Sequence, residues 1–258
     1  MIKKLSVVCC LLAFVSCAKK SAPGVQPAPA NSQAQETVGG SGPATENPAS
    51  HTPFVIPPSA KKQAKYYPEG SPVRAIQDLD DMLDSYVTDP QTPEQKQYNA
   101  DLKRAILHGT FDIRELCSLA LGKHSAERTP QEQDYFVNLM IRLLEKKAIF
   151  SKEQGLKKKK LKSLYQITYS GQKFLNPEQT NAMAMSKVHV PSESLTVDLN
   201  YKLKKENGQW KIYDVIVDEA SLLDNYKYQF DKIIEKEGYP SLVHRMESKL
   251  QELEQGNK

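Results

Sequence analysis

The chain has 258 residues, 35 of them Lys or Arg and 31 Asp or Glu, with a pI near 8.7. Seven of those basic and three of those acidic residues precede Ser71, so the part that follows carries 28 of each sign. The excess positive charge therefore lies in the leading segment, which removes the compositional case for a nucleic-acid binder.

Lys3 and Lys4 precede a largely apolar run, Leu5 to Val15. That run falls short of the roughly 20 residues a bilayer span needs, and reads as the apolar region of a signal peptide. It ends in Phe14-Val15-Ser16-Cys17, a small residue then Cys, which resembles a bacterial lipobox apart from Phe14 where Leu is usual. Residues 1–17 are thus expected to be a lipoprotein signal peptide, with Cys17 the lipidated first residue of the mature chain. Ordinary secretory cleavage after Ala18 is the alternative. Export to the periplasm follows from either. Cys9 and Cys10 would leave with the signal, which makes Cys117 the lone thiol of the rest. A lone thiol makes no internal disulfide, so stability must come from apolar burial, with Cys117 itself a small buried hydrophobe.

Residues 18–70 are rich in Pro, Gly, Ser, Ala and Gln, and hold more than half of the sixteen prolines. They show no apolar periodicity and are expected to stay disordered, a tether with a relaxed span of roughly 40 Å and a stretched limit near 170 Å.

Residues 71–258 are expected to form one globular domain. Ser71-Pro72 opens a helix whose face is Val73, Ile76, Leu79, Leu83 and Val87, and Thr92-Pro93-Glu94 opens a second that runs to about Leu107. Phe111 to Gly122 is a short third helix. Thr129-Pro130-Gln131-Glu132 has the spacing of a capping box and opens a long helix with the stripe Phe136, Leu139, Met140, Leu143 and Leu144, reaching to about Phe150. After Gly155 the period changes. Ser163–Ser170, Asn181–Val190, Leu195–Lys204 and Gln209–Asp218 are strand-like, and Leu195, Val197, Leu199, Tyr201 and Leu203 alternate with polar residues. Asn207-Gly208 centres a hairpin turn. Two helices, Ser221–Lys236 and Pro240–Glu254, close the chain. Helices, then consecutive antiparallel strands, then helices make the class α+β, with helices gathered on one face of a sheet of about four strands.

No nucleotide-binding, metalloprotease or hydrolase signature is present, and the domain histidines His108, His124, His189 and His244 lack metal-ligand spacing. No metal and no catalytic residue is therefore assigned. Asp78, Asp80, Asp81 and Asp84 read as the solvated face of the first helix. Lys157 to Lys160 with Lys162 read either as a solubilising loop or as a docking point for anionic headgroups or an acidic partner.

Three segments resemble one family. They are Phe111-Asp-Ile-Arg-Glu-Leu-Cys-Ser-Leu-Ala-Leu-Gly122, the helix from Thr129 to Phe150, and Trp210 to Phe230 with its Trp, Tyr213-Asp-Val215 core and Asn225-Tyr-x-x-Gln-Phe230 ending. Together they resemble the MlaC family of phospholipid-binding, or toluene-tolerance, proteins, from about Val73 to Leu250. The chain departs from the pattern at Lys123-His124, where a Trp usually follows the Leu-Gly pair, and at Glu219-Ala220-Ser221, where Glu-Gly-Val-Ser is usual. A lipidated tether is also unusual for the family.

The resemblance implies a curved antiparallel sheet enclosing an apolar cavity for the acyl chains, and a monomeric carrier rather than an enzyme. Its cargo would be phospholipid, with no other cofactor. Its partners would be an inner-membrane lipid ABC transporter complex and an outer-membrane lipoprotein–porin complex. Its role would be to keep the outer membrane asymmetric. The side chains expected to line the cavity are Val188, Val197, Leu199, Tyr201, Val215 and Val217 of the strands with Phe136, Met140, Leu143, Leu222 and Phe230 of the helices. Two other readings compete. One is a nuclear-transport-factor-like enzyme of small molecules, for which Tyr213, Asp214 or Asp218 would supply the acid or base. The other is an envelope scaffold that binds only protein.

Overall fold

The first five α-helices each begin where a side chain takes up backbone donors that a first turn leaves unpaired. In the computed structural model, which describes residues 66–87, 90–147, 166–191 and 194–255, Ser71 Oγ accepts from the Arg74 N–H and starts α1, Pro72–Asp84. Thr92 and Thr129 each make the reciprocal capping box, with Gln95 and Glu132, and start α2, Pro93–Thr110, and α4, Pro130–Lys146. Asp112 caps the short α3, Ile113–Leu121, and Ser221 caps α5, Leu222–Glu237. The last helix, α6, spans Tyr239–Gln255. The first helix stops at Asp84 rather than near Val87, because the Ser85 N–H turns back to the carbonyls of Met82 and Leu83. The signal, the tether up to residue 65, Phe150, residues 163–165 of the first expected strand and the run Lys157–Lys160 with Lys162 lie outside the described residues.

The strands β1, Gln166–Phe174, β2, Asn181–Val190, β3, Leu195–Glu206, and β4, Gln209–Val217, pair consecutively and antiparallel. A fifth strand of two residues, β5, Ala220–Ser221, returns on β4 and adds an edge to the four strands expected. Two residues are too few to show an alternation in sequence. This strand exists because Asp218 and Glu219 take φ of 46° and 71°, which folds the chain straight back. The β3–β4 turn uses the same geometry at Asn207 and Gly208, φ 48° and 81°, there with the residues that adopt it most readily. Register shifts at Tyr169/Gly171 and at Lys202/Leu203 bend β1 and β4.

Two apolar clusters result. α1 and α2 lie against one face of the sheet, where Val73, Ile76, Leu79, Leu102 and Ile106 meet Ala182, Ala184, Tyr201, Leu203, Trp210, Ile212 and Val215. α3, α4, α5 and α6 pack together in a second cluster centred on Phe136, Met140, Leu143, Tyr226 and Phe230. β4 joins the two, since its neighbouring residues Asp214 and Val215 are both buried, the first toward the start of α5 and the second in the sheet cluster. Cys117 is buried among helices, and desolvation pushes its thiol far above the usual range, so it is an inert packing atom. No helix among the described residues is long and apolar enough to cross a membrane.

Candidate functional site

The alternation of β2, β3 and β4 places one apolar side chain in two toward the same face, and the register decides which of them touch. Val188 stands opposite Val197, Leu199 opposite Val217, and Tyr201 opposite Val215. Six residues expected at the site are therefore three cross-strand pairs on one contiguous patch. Tyr201 and Val215 belong to the sheet cluster, and Leu199 and Val217 pack partly against it. Val188 and Val197 are buried as well, but belong to neither cluster. Ser186, opposite Leu199, is a polar residue in this row. Its buried hydroxyl donates to the Leu199 carbonyl at 2.5 Å, so it adds no unpaired group to an apolar surface.

The five helical candidates are placed elsewhere. Phe136, Met140, Leu143, Leu222 and Phe230 sit together in the helical cluster. The Phe136 ring meets Phe230 edge-on at 5.6 Å, and Phe230 stacks on Tyr226 at 5.5 Å. The structure thus gathers the eleven residues into a sheet group and a helix group.

On the α1 side the sheet patch ends at a polar pair. Asp80 is buried, not part of the solvated face expected for the four acids of α1, because the Tyr169 hydroxyl of β1 donates to its carboxylate. Burial, then the Asp80 charge, pushes the Tyr169 phenol far above its ordinary value, so it stays a donor. Tyr169 is opposite Ser186 and so shares a row with Leu199 and Val217. Sequence reasoning missed this pair. The signal it left was Asp80 lying one position from Leu79 on a helix packed close to an edge strand, which is too weak to read without the strand's register.

The residues that an enzyme reading would need are committed to the fold. Asp214 is fully buried; it accepts from the Ser221 hydroxyl at 2.8 Å and the Leu223 N–H at 3.0 Å, with the Lys202 ammonium 3.1 Å away. It therefore fastens the start of α5 to β4. Asp218 accepts from the Asp198 N–H at 2.9 Å. Tyr213 is the extra residue of the β4 bulge and packs against the helical cluster; burial is the main cause of its raised phenol pKa, the neighbouring Lys202 lowering it. Among the described residues no group of three or more His, Cys, Asp or Glu side chains could hold a metal ion.

Among the described residues, grooves open on the surface at two places away from the sheet patch. One of about 480 Å³ lies between Leu121–Lys123 and the outer side of α5, and one of about 380 Å³ lies between the starts of α4 and α6. Both have charged rims, and neither is lined by any of the eleven residues.

The family model described as MlaC protein matches residues 77–248. The phospholipid-binding protein from Ralstonia solanacearum, solved in complex with a phospholipid at 1.53 Å, superimposes with a TM-score of 0.53 at 20% sequence identity, over 70% of this chain and 97% of that one. At that identity the likeness is one of fold. A search of curated proteins gave no match.

Proposed function

The chain belongs to the MlaC family, and from that premise we propose that it is a phospholipid carrier that holds acyl chains against the sheet patch formed by Val188–Val197, Leu199–Val217 and Tyr201–Val215. The observation that carries this reading is the patch itself: three cross-strand pairs on one sheet face, with the Ser186 hydroxyl among them satisfied internally. Each methylene moved from water onto such a surface contributes about 0.8 kcal/mol, so two acyl chains are retained without any covalent bond. The patch forms one wall of an apolar cavity, and the headgroup stays in water. The fold likeness to a protein solved with a bound phospholipid supports the same reading.

The carrier works in the periplasm, held to a membrane through lipidated Cys17 and a tether of residues 18–70 that precedes the lipid-binding domain of residues 71–258. As a monomer it takes phospholipid from one membrane complex and delivers it to another. The partners are an inner-membrane ABC transporter complex and an outer-membrane lipoprotein–porin complex, and the outcome is maintained lipid asymmetry of the outer membrane. Delivery needs a partner that opens the cavity or competes for the lipid, because burial on this scale makes spontaneous release slow.

Native mass spectrometry of residues 18–258, the mature chain without its acylated cysteine, exported behind a cleavable secretory signal and purified without detergent, tests the proposal. The expected result is an added mass of a diacyl phospholipid that is lost on organic extraction. A bare protein mass that stays bare after incubation with liposomes overturns the reading.

A further inference from the structure

The end of the sheet remote from Val188 carries a second apolar feature. β1 ends at Phe174 and Leu175 follows in the turn to β2; these two consecutive residues are 37% and 44% exposed. The turn is closed on itself. Asn176 Oδ1 accepts from the N–H groups of Thr180 and Asn181 at 3.0 and 2.8 Å, and the Leu175 N–H donates to the Asn181 carbonyl at 2.8 Å. Those three backbone donors are already paired and can leave water without being stranded. Behind it the Phe174 ring lies 6.3 Å from Trp210, and the Lys205 ammonium lies 5.7 Å over the indole. The Trp210 Nε1–H donates to the Gly70 carbonyl at 2.9 Å. The segment by which the leading residues join the domain is therefore fixed beside the tip.

We propose that this hairpin tip inserts Phe174 and Leu175 into the interfacial layer of a phospholipid bilayer. The proposal rests on the reading of the chain as a membrane-anchored carrier, because the anchored segment joins the domain at this end. The contact would be made by an exposed apolar pair at the end of β1, beside a turn crowned by the exposed Pro177, Glu178 and Gln179, with the buried Trp210 packed behind it and the exposed Lys173 and Lys205, whose stems can lie along the acyl boundary while their charges stay wet. Glu178 and Glu206 stand exposed at the same end and offset those charges, so binding comes from apolar insertion and changes little with salt. Phe174 pairs with Ala182, six residues along β2 from Val188, which sets the tip about 20 Å from the lipid-binding pairs. A domain docked by this end presents its lipid-binding end away from the membrane that holds it, towards a partner.

Trp210 is the only tryptophan of the chain and reports directly on the tip. Residues 18–258, which lack the acylated cysteine, are mixed with phosphatidylethanolamine–phosphatidylglycerol vesicles carrying brominated acyl chains. Quenching of Trp210 is expected, together with co-sedimentation that falls roughly tenfold or more in the double variant Phe174→Ser/Leu175→Ser. The circular dichroism and the bound-lipid mass of that variant should match the parent. Absence of quenching in the parent, or a double variant that sediments with vesicles as the parent does, overturns the proposal. Loss of bound lipid from the parent with quenching retained would instead overturn the carrier reading and leave the tip assignment standing.

Discussion

Replacing Phe136 with Ala separates packing from cavity lining. Phe136 is fully buried, edge-on to Phe230 at 5.6 Å and tilted against Tyr239 at 6.1 Å. Truncating a ring packed in this way costs about 3–5 kcal/mol, the sum of lost transfer energy and the space left behind, and the edge-to-face contact places it towards the middle of that range, about 4 kcal/mol. With a urea slope of about 2 kcal/mol/M for a domain of this size, the midpoint falls by about 2 M. The assay is urea unfolding of delipidated protein followed by Trp210 fluorescence. Because Trp210 belongs to the sheet cluster and Phe136 to the helical one, the shift also tests whether the two unfold together. A shift under about 0.5 M in both Trp210 fluorescence and helical circular dichroism, with an unchanged slope, would refute the packing argument. Phe136 would then border space that lipid fills, as the family resemblance implied.

Val217→Glu puts a charge on the sheet patch opposite Leu199; the variant should keep its far-UV circular dichroism and lose bound phospholipid in native mass spectrometry, and a normal lipid content would remove Val217 from the site. Asp214→Ala strips the acceptor from Ser221, Leu223 and Lys202 and should cost about 3 kcal/mol, roughly 10 °C in melting temperature; a fall under 3 °C would mean that the start of α5 is held by packing alone. The carboxyl of Asp231 titrates below its ordinary 3.8, chiefly because His124 Nε2 is hydrogen-bonded to it at 3.0 Å, then because of Lys123. A depressed carboxyl adds stability that is present above about pH 4 and is lost as pH falls through the lowered value. Asp231→Asn should therefore lower the urea midpoint at pH 6 and leave it unchanged near pH 2; an equal loss at both would place the effect in packing.

The element order was legible because the cues are local. A cap, a proline and an acidic first turn mark where α1, α2 and α4 begin, and alternation along Leu195 to Leu203 marks a half-buried strand, whatever the rest of the chain does. The Asn207-Gly208 turn was equally plain, since those residues adopt positive φ readily. β5 left no such mark, because Asp218 and Glu219 are held in the same geometry by the surrounding sheet rather than by preference.

Local pattern is enough for most helix starts, the four long strands and which side chains are apolar enough to be inside. Which of those side chains share a surface depends on how the elements pack. Periodicity gives each strand an inner face, but register alone makes partners of Leu199 and Val217, and helix packing alone sends Phe136, Met140 and Phe230 to a cluster with Tyr226. The same holds for Asp80. An acid on an amphipathic helix is expected in water, and it is buried here because the Tyr169 hydroxyl on a strand 89 residues away supplies the hydrogen bond that makes burial tolerable. Such pairings depend on distances between elements remote in sequence, and no local pattern encodes them.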